Sequence, residues 1–434
     1  MRKFIYINIC VLFFFSLNCA AQTELPPFAS NATKENRAKE YTYLVNNSIT
    51  KNLSLPLSDS TEDYWEDAFY AMELIKYRSP LTDAKIRSAF DSIEKRSIGF
   101  KRALMVLMYS NYTTEFKKNI TNLFFNSTNA KVFAMCAEYL LRADKSSENI
   151  YKIAGTAWEK NKVYFENDVA GSYILFQLFW QIINLKDTGS NKANVKLSLL
   201  LTGNFLKGNT VLYSFQRKNR NYPGLAIIRN SNGSFIKNEK AEIFSVAQLA
   251  RSTNNLPGYL TNGNTPQGIF RMNGFAVSKI GAIGPTENIQ LMMPFETSAG
   301  FFLKDSTLKD SAWVPGLYQR LLPADLQNYF PLLQTYFASA IGRTEIIAHG
   351  TTVNPVYYKN DPYYPLTPTQ GCLTTKEIWS EVDGRRTESD QQKLVNAVKA
   401  AGGADGYCIV IEIDDQQKPV SINEILPYIN RKIK

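Results

Sequence analysis

Ile346-Ile347-Ala348-His349-Gly350-Thr351 and, further on, Thr369-Gln370-Gly371-Cys372 are the two stretches on which the reading of this chain turns. His349 is the one histidine in 434 residues. Chemistry that needs a neutral general base near pH 7 therefore has a single obvious candidate. The apolar run Glu345 to Ala348 predicts a strand leading into His349, and Gly350 permits a tight turn that fixes the ring. Downstream, Cys372 follows a glycine and has polar neighbours, so a thiolate there is approachable. A free thiol titrates near ~8.5 and is only slightly ionised at neutral pH, which a nearby imidazole can change. The two segments together predict a cysteine nucleophile activated by histidine, the arrangement of covalent acyl transfer.

The other cysteines have plainer roles. Val132, Cys136, Tyr139 and Leu140 fall at helical spacing, which puts Cys136 on a core face, and Cys408 opens the buried strand run Cys408-Ile409-Val410-Ile411. One histidine and dispersed cysteines form no zinc-ligand cluster, so no metal and no cofactor are expected.

At the N-terminus, Arg2 and Lys3 precede the apolar run Phe4 to Leu17, and Cys19-Ala20-Ala21 offers small residues for cleavage. This predicts a signal peptide over residues 1–21 and a periplasmic or cell-envelope location. Lipidation at Cys19 is the alternative, against which Ser16-Leu17-Asn18 is a poor lipobox. The run is shorter than the ~20 residues a spanning helix needs. Gly171 to Leu185 is interrupted by Gln177 and Gln181 and reads as a buried helix. After export, an odd number of cysteines implies a free thiol. The formal charge is +10, less two once Arg2 and Lys3 are gone. On an exported protein that excess fits solubility or a carboxylate-rich partner better than nucleic acid, which is not expected.

Length predicts more than one domain. Residues 22–60 are polar and read as a poorly ordered lead-in. Over 61–186 the period is helical, as in Ile86, Phe90 and Ile93, in Phe100, Leu104, Leu107 and Met108, and in Phe116, Ile120, Leu123 and Phe124. The expectation is a helical bundle or short solenoid, with Trp65, Phe69 and Tyr70 in its core. Residues 187–200 mark a linker. Beyond it, over 201–434, the pattern becomes mostly β with few helices. Thr210 to Phe215 and Leu225 to Arg229 read as strands, and Asn230-Ser231-Asn232-Gly233 as a hairpin turn. A helix capped by Thr387 with Asp390, buried through Leu394, Val395 and Val398 and stopped by Gly402, precedes a strand from Tyr407 to Ile413.

A third motif, Thr265-Pro266-Gln267-Gly268-Ile269-Phe270, lies upstream of His349. With His349-Gly350 and the Thr369-x-Gly371-Cys372 turn it resembles the L,D-transpeptidase (YkuD-like) catalytic domain of bacterial cell-wall enzymes. The resemblance covers roughly residues 205 to 415. It matches at Thr265, Pro266, Gly268, Phe270, His349, Gly350, Thr369, Gly371 and Cys372, and marks a distant member. Gln370 stands where the family usually has a second histidine. Leu373-Thr374-Thr375 replaces the Asn or Arg common after the cysteine. The intervening segment is longer and rich in tyrosine and proline, as a groove wall or flap would be.

The resemblance implies a mostly-β catalytic fold and a peptidoglycan stem peptide as substrate. Cys372 would attack the carbonyl between diaminopimelate and the terminal D-alanine, and an amine of a second stem would resolve the thioester. In this scheme Cys372, His349 and Gly371 are catalytic. His349 takes the thiol proton, and N–H groups around Gly371-Cys372 hold the oxyanion. Gly350, Thr369, Gln370 and Arg343 would contact substrate, with Arg343, Arg385 or Arg386 reading a carboxylate. Water as acceptor would make an L,D-carboxypeptidase or another thioester-forming hydrolase. A non-catalytic cell-wall-binding scaffold, with the helical domain recruiting a protein partner, is the reading from another class.

Overall fold

A computed structural model describes residues 26–185 and 196–429. The expected signal segment and most of the linker lie outside the described residues.

The helical part is built as its period predicts. Helices run over Glu62–Leu74, Pro80–Asp91, Ile98–Asn111, Lys117–Asn126, Ala130–Ala143, Ser147–Lys160 and Val169–Leu185. Glu62–Leu74 packs on Ile98–Asn111, which packs on Ala130–Ala143, which packs on Val169–Leu185. Stacking of every second helix is the arrangement of a short solenoid. The apolar face of each helix meets the same core, where Trp65, Phe69, Leu104 and Cys136 are buried. Tyr70, expected there, is exposed instead. No helix among the described residues is long and apolar enough to cross a membrane.

The lead-in corrects expectation. Lys34–Tyr43 is α-helical, capped by the Thr33 side chain, and Leu44–Lys51 continues it as a π-helix. Ile49 and Leu53 are fully buried in the helical core. The segment is also tied to the β8–β9 hairpin described below, by the Lys34 N–H on the Glu381 carbonyl and by Arg37 on the Glu381 carboxylate, so tertiary contacts order a stretch with few apolar residues.

Ten strands follow among the described residues: β1 Val211–Arg217, β2 Gly224–Arg229, β3 Val246–Gln248, β4 Gly268–Ala276, β5 Asn288–Met292, β6 Ile347–His349, β7 Leu373–Thr374, β8 Glu377–Trp379, β9 Arg386–Ser389 and β10 Tyr407–Asp414. Eight form one sheet in the order β3-β2-β1-β10-β4-β5-β6-β7, and β8–β9 is a separate hairpin. The last strand thus lies centrally, parallel to β1 and antiparallel to β4. The sheet nearly closes on itself. Leu249, just past β3, exchanges backbone hydrogen bonds of 2.8 and 2.9 Å with Thr374 of β7.

Side chains alternate across the strands. Val211, Tyr213 and Phe215 face one core with Ile409 and Ile411, while Leu212, Cys408 and Val410 face the other. The second core is filled by the helix Asp390–Ala400 through Leu394, Val395 and Val398. Gly402, at φ +111°, ends that helix as expected. Its cap is Ser389, whose side chain accepts from the Gln392 N–H, rather than Thr387. Thr387 lies at the register shift of β9 and donates its hydroxyl to the Ile378 carbonyl, while pairing with β8 carries the extended backbone through Glu388 to Ser389.

Between β5 and β6 the chain makes several short helices, from Ala299–Leu303 to Gln334–Ala340. These cover the first core with Phe302, Tyr318, Tyr336 and Phe337, so the C-terminal part holds more helix than its strand pattern suggested. The two parts also share a core. Leu256, Tyr259, Leu260 and Ile341 pack into the helical cluster.

Candidate active site

The site lies at the seam where the sheet closes. β6 and β7 run parallel, with Ala348 opposite Leu373 and His349 opposite Thr374. Ala348 and Leu373 are both buried in the core under the helix Asp390–Ala400. His349 and Cys372 are each one residue away from that pair, so alternation sends both to the opposite face. Cys372 aligns with Ile347, which separates the His349 and Cys372 backbones by roughly 8 Å on ordinary strand spacings. The base and the thiol therefore share one face of adjacent strands. Strand β6 is shorter than expected, because Glu345 takes a left-handed conformation, φ +62°.

His349 is buried, and its Nδ1 contacts the Gly350 carbonyl closely. With Nδ1–H donating to that carbonyl, the lone pair sits on Nε2. Burial drives the imidazole down to about 4, against the pull of the Gly350 carbonyl, so the ring is neutral at pH 7. A residue that sequence reasoning missed steadies this strand. Gln391, fully buried, donates to the Ala348 carbonyl at 3.0 Å and accepts from the Thr375 hydroxyl at 2.8 Å. Its signal was a polar residue in line with Leu394, Val395 and Val398 on a core-facing helix stripe.

Cys372 is half-buried and free. Its Sγ donates to the Glu345 carbonyl at 3.5 Å. Burial raises the thiol, while the Ile347 N–H and the Arg343 charge pull it down and Glu345 pushes it up. No hydrogen bond joins Cys372 to His349 among the described residues. The resting pair is a neutral thiol and a neutral imidazole.

The turn before the cysteine is held from three sides. The Thr369 hydroxyl accepts from the Gly371 N–H and donates to the Cys372 carbonyl, both at 3.0 Å. The Thr369 carbonyl accepts from the Thr253 N–H and hydroxyl at 2.7 and 2.8 Å. The Thr265 hydroxyl donates to the Gly371 carbonyl at 2.8 Å. The upstream motif, the His-Gly pair and the Gly-Cys turn are thus brought to one place. Gly371 has φ +114°, and a Cβ there would overlap the Arg343 guanidinium, so only glycine fits. At Gly350 a Cβ would overlap the Glu377 carboxylate.

Several expected roles change on this geometry. The Gly371 N–H is taken by Thr369, whereas the Cys372 N–H has no backbone acceptor among the described residues. Gln370 is exposed, and its side chain makes no hydrogen bond among the described residues. Arg343 is buried, its Nη1 on the carbonyls of Gly258, Leu260 and Asn264 and its Nη2 on that of Gly263. Those donors face protein, not solvent. Arg386 reaches Glu377 and Thr286, and Arg385 the Pro26 carbonyl. The tyrosine-rich segment is a packed wall, with Tyr358 and Tyr363 buried and the Tyr358 hydroxyl donating to the Leu74 carbonyl at 2.8 Å. No group of three His, Cys, Asp or Glu side chains among the described residues could hold a metal ion.

No protein-family model, curated protein or solved structure matches the chain.

Proposed function

We propose that the chain is a cysteine-dependent acyl transferase of the L,D-transpeptidase kind, acting on peptidoglycan stem peptides through a thioester. The observation that carries this reading is the meeting of three sequence motifs at one seam: His349 and Cys372 on one face of paired strands, with Thr265 bonded to the Gly371 carbonyl.

The chemistry follows from the resting state. Because thiol and imidazole are both neutral, the proton moves from Sγ to His349 Nε2 as sulfur attacks the carbonyl carbon. The Cys372 N–H stabilises the oxyanion. The imidazolium then gives its proton to the leaving amine as the C–N bond breaks, leaving a thioester on Cys372. An amine of a second stem peptide attacks that thioester and restores the thiol; water in its place gives hydrolysis. A side-chain rotation must first bring Sγ from the Glu345 carbonyl toward Nε2. An exported protein would meet this substrate in the cell envelope, with Arg2, Lys3 and the apolar run as the export signal.

The missing thiol–imidazole contact and the upward-shifted thiol favour a second reading, a non-catalytic cell-wall-binding scaffold. Incubating the protein with disaccharide-tetrapeptide and following the products by mass spectrometry separates the two. A cross-linked dimer or a D-alanine-free monomer that disappears in Cys372→Ala supports the transferase. No conversion by folded wild type sinks it and leaves the scaffold.

A further inference from the structure

Buried arginines among the described residues are held in two ways, by carboxylates or by backbone carbonyls. Arg217, Arg220 and Arg271, also buried, each meet a carboxylate: Asp414 and Glu424, Glu412, and Asp405 respectively. Arg343 is 5% exposed and meets none among the described residues, as is also true of Arg229, which the carbonyls of Thr202, Phe205 and Leu206 hold. The Arg343 guanidinium is saturated by backbone carbonyls of the 258–264 loop, which complete its hydrogen bonds without neutralising its charge. A buried charge left unneutralised is costly, and it favours an anion that forms beside it. The group against which it lies is the Gly371-Cys372 turn.

We propose that Arg343 is a positioning residue for the nucleophile, its uncompensated charge favouring the Cys372 thiolate and its carbonyl cage locking the turn that presents the sulfur. This rests on Cys372 being the reacting thiol. It places the charge on a segment distant in sequence from the thiol, and it accounts for Gly371, where a side chain would overlap the guanidinium. The other groups facing the pair are few. Glu345 opposes ionisation of the thiol, and the Arg220 charge adds to the local positive field around Arg343. His349 is neutral and supplies no charge at rest.

The cage is itself braced by the helical part. Tyr259, inside the 258–264 loop, donates to Glu138 at 2.6 Å, and Lys131 reaches Thr261 at 3.3 Å. Arg343 therefore links the helical scaffold to the sulfur through one loop.

The test is the pH dependence of iodoacetamide alkylation of the intact protein, read at the Cys372 peptide by mass spectrometry. Cys136 and Cys408 are fully buried and serve as unreactive references. Arg343→Gln keeps amide donors and removes the charge. Its alkylation midpoint is expected to rise by about one pH unit, which lowers the rate at pH 7 by about ten-fold. Arg343→Lys keeps a charge and is expected to stay within about half a unit of wild type. A folded Arg343→Gln protein with the wild-type midpoint overturns the proposal. So does an Arg343→Lys protein whose midpoint climbs by a full unit, which decides the matter if the Gln variant does not fold. Alkylation needs no stem peptide, so a midpoint shift without turnover would remove the transferase reading and leave this role of Arg343 standing.

Discussion

The helices between Glu62 and Leu185 bury mostly hydrocarbon, whereas the sheet and its loops bury charge. In the helical part, Cys136 sits among Leu, Phe and Met side chains, and burial pushes its thiol far above the ordinary range with nothing to oppose it. At the sheet seam Cys372 is also pushed up, but Arg343 and the Ile347 N–H oppose the shift. The same side chain is thus inert filler in one region and a candidate nucleophile in the other. What distinguishes them is the polar company each keeps, because burial alone disfavours the thiolate in both.

The sharpest way to break this comparison is His349→Gln. If the imidazole is the base, product formation from the tetrapeptide should fall by about 10²–10⁴-fold. Wild-type kcat/KM should keep its acidic limb near 4 rather than near the ordinary imidazole value, since the neutral ring holds its lone pair down to that pH. The ring also bears on stability. Its folded value lies below its unfolded one, so its contribution is complete above about 6.5 and is lost as the pH falls toward 4. Urea titrations of wild type and His349→Gln at pH 4.5 and 7 would show the wild type losing more over that interval; parallel losses would contradict it.

Next in size is Gly371→Ala. Both its left-handed backbone and the overlap with Arg343 oppose a side chain, and a loss of about 3 kcal/mol is expected by denaturant unfolding. The matching change in the helical part is Gly155→Ala, inside Ser147–Lys160, where a Cβ meets no atom within 4 Å. That substitution should stabilise by about 0.5–1 kcal/mol and leave turnover alone, the smallest effect in the series. Destabilisation there would mean that the helical part is packed less plainly than described.

Between these lies Glu138, where the two regions touch. Burial raises its carboxyl to about 7 despite the hydrogen bond from Tyr259. A raised acid favours folding while protonated, so its contribution is full below about 4.5 and drains as the pH rises through 7. Glu138→Gln should therefore flatten the fall in Tm between pH 5 and 8 and become relatively more stable at pH 8. Glu73, raised to about 8 by burial beside Asn254, keeps part of the slope in either protein. An unchanged slope would show that Glu138 is solvated in solution.

Much of the site is legible in residue types alone. The single histidine, the cysteine after a glycine, and Thr265 in its motif stand out as residue types. The buried strands and the helical stripes announce themselves by period. The polar lead-in reads as unordered because its few apolar anchors make no period, and its ties to the β8–β9 hairpin are made across 344 positions or more. Thr387 was taken for a cap because the capping spacing is local, while the strand pairing that moves the cap to Ser389 is not. Arg343 read as a surface carboxylate reader because nothing in its neighbours announces burial; the carbonyls that hold it belong to a loop about eighty residues away.

By itself the sequence determined which atoms could do chemistry, where the long helices of the first part fall, and where the core strands β1, β2 and β10 run. Those properties depend on side-chain type and on periods of two or 3.6 residues. Only the tertiary structure decided that Thr265 meets Gly371 across 106 positions, that Leu249 and Thr374 close the sheet, and that an arginine without a carboxylate partner lies against Gly371. Such contacts follow from strand order and closure, and the free energy that selects them is spread over both buried faces of the sheet rather than written in any one segment.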